Sequence, residues 1–328
     1  MRSTKPKVLH AVGGKPILGH VLNCAKNLKP NKIIVIYGYG GEQVKQAFNT
    51  ESIIWVEQKE QLGTGHAVQQ AIPHLDDDAN SLILLGDVPL VDVDACKQLI
   101  EGSQGNMVVQ SFIKSDPTGY GRILRNNDGL VKAIVEHKDA TSEQRKVNEV
   151  NTGIMAMPSA HLKSWLQRLN NNNAQKEYYL TDIVGFAVED GINVSASIID
   201  DEWSVTGINS KQDLALIERE HQQRKALALL QKGVTLLDPA RIDIRGTIET
   251  GEDVEIDVGC IFEGSVILAA GATIAAFTHI LEAEVGKNSR VGPYARLRPG
   301  TTLADGTHVG NFVELKNAQV GAGSKVNL

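Results

Sequence analysis

A period of six residues governs the final stretch of this chain. Ile242, Ile248, Val254, Cys260 and Val266 are evenly spaced, as are Leu268, Ile274 and Ile280. Val285, Val291, Leu297, Leu303, Val309 and Leu315 continue the spacing in a third register. A sandwich strand would show a period of two with hairpin turns. A hexapeptide period instead fits a parallel β-helix, in which each hexad forms one side of a coil. The aliphatic residue of each hexad points inward and stacks on its neighbours. Glycines at 286, 292, 300, 306, 310 and 321 suit the tight corners.

The chain before residue 211 follows another rhythm. Strand-like runs at Lys32–Tyr37, Ile53–Val56 and up to Leu85 alternate with helix-like runs at Glu42–Phe48, His66–Ile72 and Asp94–Ile100. Met107–Ile113 and Leu130–Glu136 read as further strands. Alternation of this kind predicts a Rossmann-like α/β domain with a mostly parallel sheet and helices on both faces. From Lys211 to about Lys232, the apolar Leu214, Ile217, Leu227 and Leu230 sit among charged residues, which predicts a long exposed linker helix.

Composition narrows the function classes. The 328 residues suffice for two domains, and 42% hydrophobic with 22% charged residues is an ordinary globular balance. A formal net charge of −6 argues against a nucleic-acid binder. Three scattered cysteines, Cys24, Cys96 and Cys260, form no metal-type cluster and suggest free thiols in a cytoplasmic protein. No apolar run has the length of a membrane span, and no apolar segment follows Met1–Lys7 as in a signal peptide.

Several motifs carry chemistry. Ile83–Leu90 is an apolar run that stops at Gly86-Asp87, with Pro89 preventing its continuation. It reads as a buried strand delivering one carboxylate to its carboxyl end, where open α/β sheets bind ligands. An Asp there can hold a divalent metal against phosphates, although an isolated one more often caps the next helix. Gln58 to Ala67 lies between a strand and a helix. Gly63 and Gly65 would let backbone approach a ligand, the amides of Gly63 and Thr64 would attract acceptors, and Gln58 offers a donor and an acceptor to a base edge. The competing reading is a plain turn with Thr64 as N-cap. Tyr37-Gly38-Tyr39-Gly40-Gly41 fails the dinucleotide pattern, because Gln43 stands at the third glycine position, and reads as a structural turn. Gly121 could admit a sugar, Glu136 could accept from sugar hydroxyls, Asn151 follows a β-type run, and Asn209 could be a second oxygen ligand for Mg²⁺.

These motifs together resemble the bacterial family of bifunctional N-acetylglucosamine-1-phosphate uridyltransferases and glucosamine-1-phosphate N-acetyltransferases. The resemblance runs through nearly the whole chain. It rests on Pro6-Lys7-Val8-Leu9, Gln61 to Ala67, Gly86 to Leu90, Asp116 to Arg122 and Glu136 to Asp139. Asn151-Thr152-Gly153, Glu177 to Asp182 and Ala295 to Gly300 complete it.

The resemblance implies a uridyltransferase domain over 1–211, a linker helix over 212–232 and a left-handed parallel β-helix of acetyltransferase type over 233–328. It implies Mg²⁺ as cofactor, bound by Asp87 and Asn209, with UTP and acetyl-CoA as co-substrates. Lys7 would contact the reacting phosphates. Gln58, Gly63 and Thr64 would hold uracil, Leu85 and Gly86 would line the site beside Asp87, and Gly121, Glu136 and Asn151 would surround the amino sugar. Arg298 and Lys316 would hold the sugar phosphate of the acetyltransferase site, and the β-helix would trimerise. The same comparison implies a chain truncated at both ends, lacking the family's first strand, its Gly-x-Gly-Thr-Arg-Met loop and the histidine of acetyl transfer. Two other readings stand beside it: a non-catalytic sugar-nucleotide-binding and oligomerising remnant, and a nucleotidyltransferase of other nucleotide specificity.

Overall fold

The computed structural model describes residues 1, 3–49 and 53–327. Leu328, the last residue of the expected acetyltransferase domain, lies outside them. The chain divides into two compact units. The first comprises Met1–Leu9 and Ile17–Asn209; the second comprises His10–Pro16 and the chain from Ser210 onward. The segment His10–Pro16, which the sequence reading placed with the first domain, thus clusters with the second unit.

In the first unit, Met107–Ile113 and Glu149–Pro158 are central to a six-stranded sheet. Asn80–Ile83 and Met107–Ile113 both run antiparallel to Glu149–Pro158, as does Arg122–Arg125, while Val194–Ile198 runs parallel to Met107–Ile113. Those four strands therefore share one direction. Glu149–Pro158 and Val131–Val135 run against them. The sheet is mixed because an antiparallel strand threads its middle, a connection that the βα rhythm does not encode.

Alternate residues of the central strands serve different layers. Met107, Val109, Met155 and Met157 pack with Trp165 and Leu166 of helix α5 (Ser159–Arg168) and with Ile183 and Val184 of α6 (Asp182–Glu189). Val108, Ile154 and Ala156 pack instead with Leu99 of α4 (Val93–Gly102). Both faces are covered, which explains the near-continuous apolar runs. Ile33–Tyr37 and Ile53–Glu57 pair in parallel as a separate two-stranded sheet, with every residue of Ile33–Tyr37 only half-buried. Their cluster includes Leu18, Val21 and Leu22 of α1 (Ile17–Asn27), residues spaced to share one helical face.

From Ser210 onward, the second unit begins with α7 (Lys211–Gln231). A reciprocal capping box fixes its start: Asp213 N donates to Ser210 Oγ at 3.0 Å, and Ser210 N donates to Asp213 Oδ2 at 2.8 Å. The helix is less solvated than its charge suggests. Gln222 is buried, donating from its amide to the Ile244 carbonyl at 3.1 Å and accepting the Ile244 N–H at 2.7 Å. Ile217, Ala226 and Leu229 are its buried apolar residues, while Leu227 and Leu230 are exposed.

Beyond α7 every pairing between strands is parallel. In one ladder the partners are Asp243, Ile261, His279, Arg296 and Glu314, each step 17 or 18 residues along the chain. A second ladder runs through Glu255, Thr273, Arg290, His308 and Lys325 with the same step. Three hexads make one such step. All fourteen hexad positions named above belong to one apolar core or pack against it, with Ile248 and Leu315 at its partly buried margin.

Candidate active site

Lys7, Asp87 and Asn209 come from three distant stretches and meet in the first unit. Lys7 begins a short 3-10 turn, Lys7–Leu9. Asp87 follows the strand Asn80–Ile83, and Asn209 closes a segment held against it, since Ile208 N donates to the Asp87 carbonyl at 3.0 Å. The Lys7 ammonium donates to Asp87 Oδ2 at 2.6 Å and to Asn209 Oδ1 at 3.0 Å. Asp87 is not the cap of α4. That role falls to Asp92, whose Oδ1 accepts the Ala95 N–H at 2.7 Å.

Two oxygen donors thus converge on one cation. A carboxylate and an amide oxygen are hard donors that suit Mg²⁺, which takes few protein ligands and keeps places for water and phosphate. The residues present fit such an ion.

The Gln58–Ala67 loop stands beside a cleft of about 440 Å³ lined by Tyr37, Gly38, Tyr39, Glu57, Gln58 and Gln61, among others. Its glycines answer a different demand from the expected one. A Cβ on Gly63 would lie 2.6 Å from the Tyr178 carbonyl oxygen, and one on Gly65 would lie 2.9 Å from it. The glycines therefore admit another stretch of chain. Tyr178 N donates to the Leu62 carbonyl at 2.8 Å, and Gly65 N donates to the Tyr178 carbonyl at 2.8 Å. Thr64 makes no N-cap bond; its Oγ1 accepts the Leu180 N–H at 3.2 Å. Helix α3 (Thr64–Gln69) follows, with Gly63 at φ 115° as its N-cap residue.

Gly121, Glu136 and Asn151 also come together. Asn151 N donates to the Gly121 carbonyl at 2.9 Å, and a Cβ on Gly121 would stand 3.5 Å from both Glu136 carboxylate oxygens. Thr181 Oγ1 donates to Glu136 Oε1 at 3.0 Å. Burial pushes the Glu136 carboxyl above its ordinary range, partly offset by that hydrogen bond, with Asp139 and Glu177 adding to the rise. Leu85 lies in the same region, 3.0 Å from where a Gly153 Cβ would stand, and Gly86 leads directly into Asp87.

In the second unit, Arg298 and Lys316 each stand one residue beyond the paired Leu297 and Leu315 on neighbouring strands. Arg298 Nη1 donates to Glu314 Oε1 at 2.9 Å, while Lys316 is exposed.

Residues 1–146 match the model of the MobA-like NTP transferase domain. The bifunctional protein GlmU of Methylobacillus flagellatus is 58% identical over all of this chain and 75% of its own length. The GlmU proteins of Chromobacterium violaceum and of Janthinobacterium are 49% and 51% identical, each again over the whole chain and 76% of theirs. The chain belongs to the GlmU family. That family is one of nucleotidyltransferase and acetyltransferase enzymes, and this chain is an enzyme of that kind. A solved UDP-glucose pyrophosphorylase complexed with UDP-glucose is similar in fold, with a TM-score of 0.56 at 15% identity over 67% of this chain and 92% of that one.

Some residues that support the candidate site were not singled out from the sequence. Thr181, Tyr178 and His66 sit inside quoted motifs, yet nothing in their spacing reveals which side chains they support. Arg122 is almost fully buried, with Nη1 donating to the Tyr120 carbonyl and Nη2 lying 3.3 Å from His137 Nδ1. Among the described residues no helix is long and apolar enough to cross a membrane.

Proposed function

We propose that the chain contributes to UDP-N-acetylglucosamine synthesis by transferring a uridylyl group from UTP to N-acetylglucosamine-1-phosphate. The observation that supports this most directly is the convergence of Lys7, Asp87 and Asn209 within a GlmU-family nucleotidyltransferase domain. A phosphate oxygen of the sugar phosphate attacks the α-phosphorus of UTP, the new P–O bond forms, and pyrophosphate leaves with the electrons of the broken bond. Such transfers are catalysed by positioning and charge neutralisation. Lys7 supplies positive charge to the phosphates. Asp87 and Asn209 would hold Mg²⁺, which when bound would neutralise phosphate charge. Gln58, Gly63 and Thr64 bind the uracil, with Leu85 and Gly86 lining the nucleotide. Glu136, Asn151 and the bare backbone of Gly121 take the amino sugar, the carboxylate accepting from its hydroxyls.

For the second unit we infer a left-handed parallel β-helix that forms a homotrimer and bears Arg298 and Lys316 at a glucosamine-1-phosphate site, with acetyl-CoA as co-substrate. The 17- and 18-residue steps of its ladders support the β-helix, because three hexads per coil demand that length. On this reading, 1–211 is the uridyltransferase domain, 212–232 the connecting helix and 233–328 the acetyltransferase domain, in a cytoplasmic enzyme.

The test is pyrophosphate release from UTP and N-acetylglucosamine-1-phosphate with Mg²⁺. Turnover by the wild type, lowered about 10²–10³-fold or more in Asp87→Ala with the fold intact by circular dichroism, is the expected outcome. Unchanged turnover in Asp87→Ala would overturn the assignment.

A further inference from the structure

Gln58 is half-buried on the wall of the cleft beside the Gly63 loop. Its amide nitrogen lies 3.1 Å from the Gly63 carbonyl oxygen and 3.1 Å from His66 Nδ1. A carbonyl oxygen can only accept, so the end of the amide that faces Gly63 is the nitrogen. His66 Nδ1 is placed to accept the second N–H, in the tautomer that carries its hydrogen on Nε2. The Gln70 amide nitrogen, which donates to the His66 carbonyl at 2.9 Å, also lies 3.3 Å from Nε2, so the two amides contend for the one acceptor of a neutral ring, and the shorter contact, that of Gln58 at 3.1 Å, assigns it to Nδ1. The His66 ring also rests against Tyr178, with centroids 6.1 Å apart.

Both hydrogens of the Gln58 amide are thus taken up by protein. Its oxygen has no hydrogen-bond partner among the described residues and is what Gln58 has left for a ligand. The neighbouring peptide N–H groups of Gly63 and Thr64 donate to no backbone acceptor among those residues. The loop therefore offers an acceptor next to donors. The edge of uracil presents a ring N–H beside a carbonyl oxygen, which matches. Cytosine presents an unprotonated ring nitrogen beside an amino group, which sets lone pair against lone pair and N–H against N–H.

We propose that His66 is a positioning residue for base selection: by accepting one Gln58 N–H, it joins the Gly63 carbonyl in holding the amide with its oxygen toward the base and so favours uracil over cytosine. The inference rests on the nucleotide-site reading of Gln58 given above. Without the His66 acceptor only the Gly63 carbonyl restrains the amide, and rotation that presents an N–H to the base becomes easier.

The experiment measures binding of UTP and of CTP, each with Mg²⁺, to the full chain by calorimetry for the wild type, His66→Leu and His66→Asn. The wild type is expected to prefer UTP. His66→Leu is expected to lose about tenfold or more of that preference, the scale of an unmatched polar group in a recognition site. His66→Asn, whose side-chain oxygen can take the acceptor place of Nδ1, is expected to keep the preference. A wild-type UTP preference in His66→Leu overturns the inference, as does an equal loss in both variants, which would mean that the ring only packs. A wild type that binds neither nucleotide overturns the reading of the site itself, and the inference with it.

Discussion

Asp182, at the start of α6, has its carboxyl pushed up to about 6, first by burial and then by Glu136 and Asp139. The sign of its effect on stability follows directly. The folded protein holds this proton more tightly than the unfolded chain does, so between the ordinary Asp value near 4 and about 6 stability falls as pH rises. Above that window the penalty is complete. Asp182→Asn should therefore be more stable than the wild type at pH 7, by about 1–3 kcal/mol, and the gain should vanish near pH 3. Urea titrations at several pH values measure this, and a gain independent of pH would contradict it. Single residues are also where the sequence is hardest to read. Asp87 and Asp92 both follow an apolar run and both precede α4, yet one meets Lys7 and the other caps the helix. The apolar run located the strand end, but only the path of residues 207–209 decides which carboxylate faces a partner.

At the scale of elements, the strands and helices marked from the sequence were legible because their apolar periods are clean, whereas α1, α5, α6 and the strands Arg122–Arg125 and Val194–Ile198 were not marked. Met107–Ile113 forms as expected to the residue, and most other bounds shift by one to three positions. A β-type run was read before Asn151, but the extent and antiparallel direction of Glu149–Pro158 were not, because residues that pair antiparallel on both sides carry no pattern distinct from a parallel core strand. The corners of the second unit held another surprise. Phe277, Tyr294 and Phe312 occupy equivalent turns with φ of 56°, 55° and 58°. Their rings stack at 5.1 and 5.3 Å on the outside, although each is exposed. A left-handed conformation disfavours a side chain with a Cβ, so stacking must offset backbone strain. Tyr294→Ala removes both ring contacts and keeps the strain, and should cost about 1–3 kcal/mol. Tyr294→Gly loses the same contacts but relaxes the backbone, and should be less destabilised than Tyr294→Ala by about 1 kcal/mol. Thermal melts of the two variants decide this, and the reverse order would refute the strain argument.

For the whole molecule, the proposed trimer makes a simple prediction. A surface that meets a different surface on the next copy closes into a ring when the rotation allows, so sedimentation equilibrium of this chain should give three times the monomer mass. A monomer that persists at high protein concentration would remove the trimer from the functional account. The hexad period made the all-parallel second unit readable, whereas no local signal assigned His10–Pro16 to that unit. Its partners are remote in sequence: Gly13 N donates to Glu218 Oε2 at 2.7 Å, 205 residues away. The loop of the proposed nucleotide site depends on a comparable reach, since Thr64 and Leu180 are 116 residues apart. On the ribosome, Gln61–Gly65 must wait for Tyr178 to emerge, roughly 6–23 s after the loop itself is made. During that interval the glycines that later admit Tyr178 have nothing to hold them. Synthesis, rather than the loop's own residues, therefore sets the earliest moment at which the proposed base site can form.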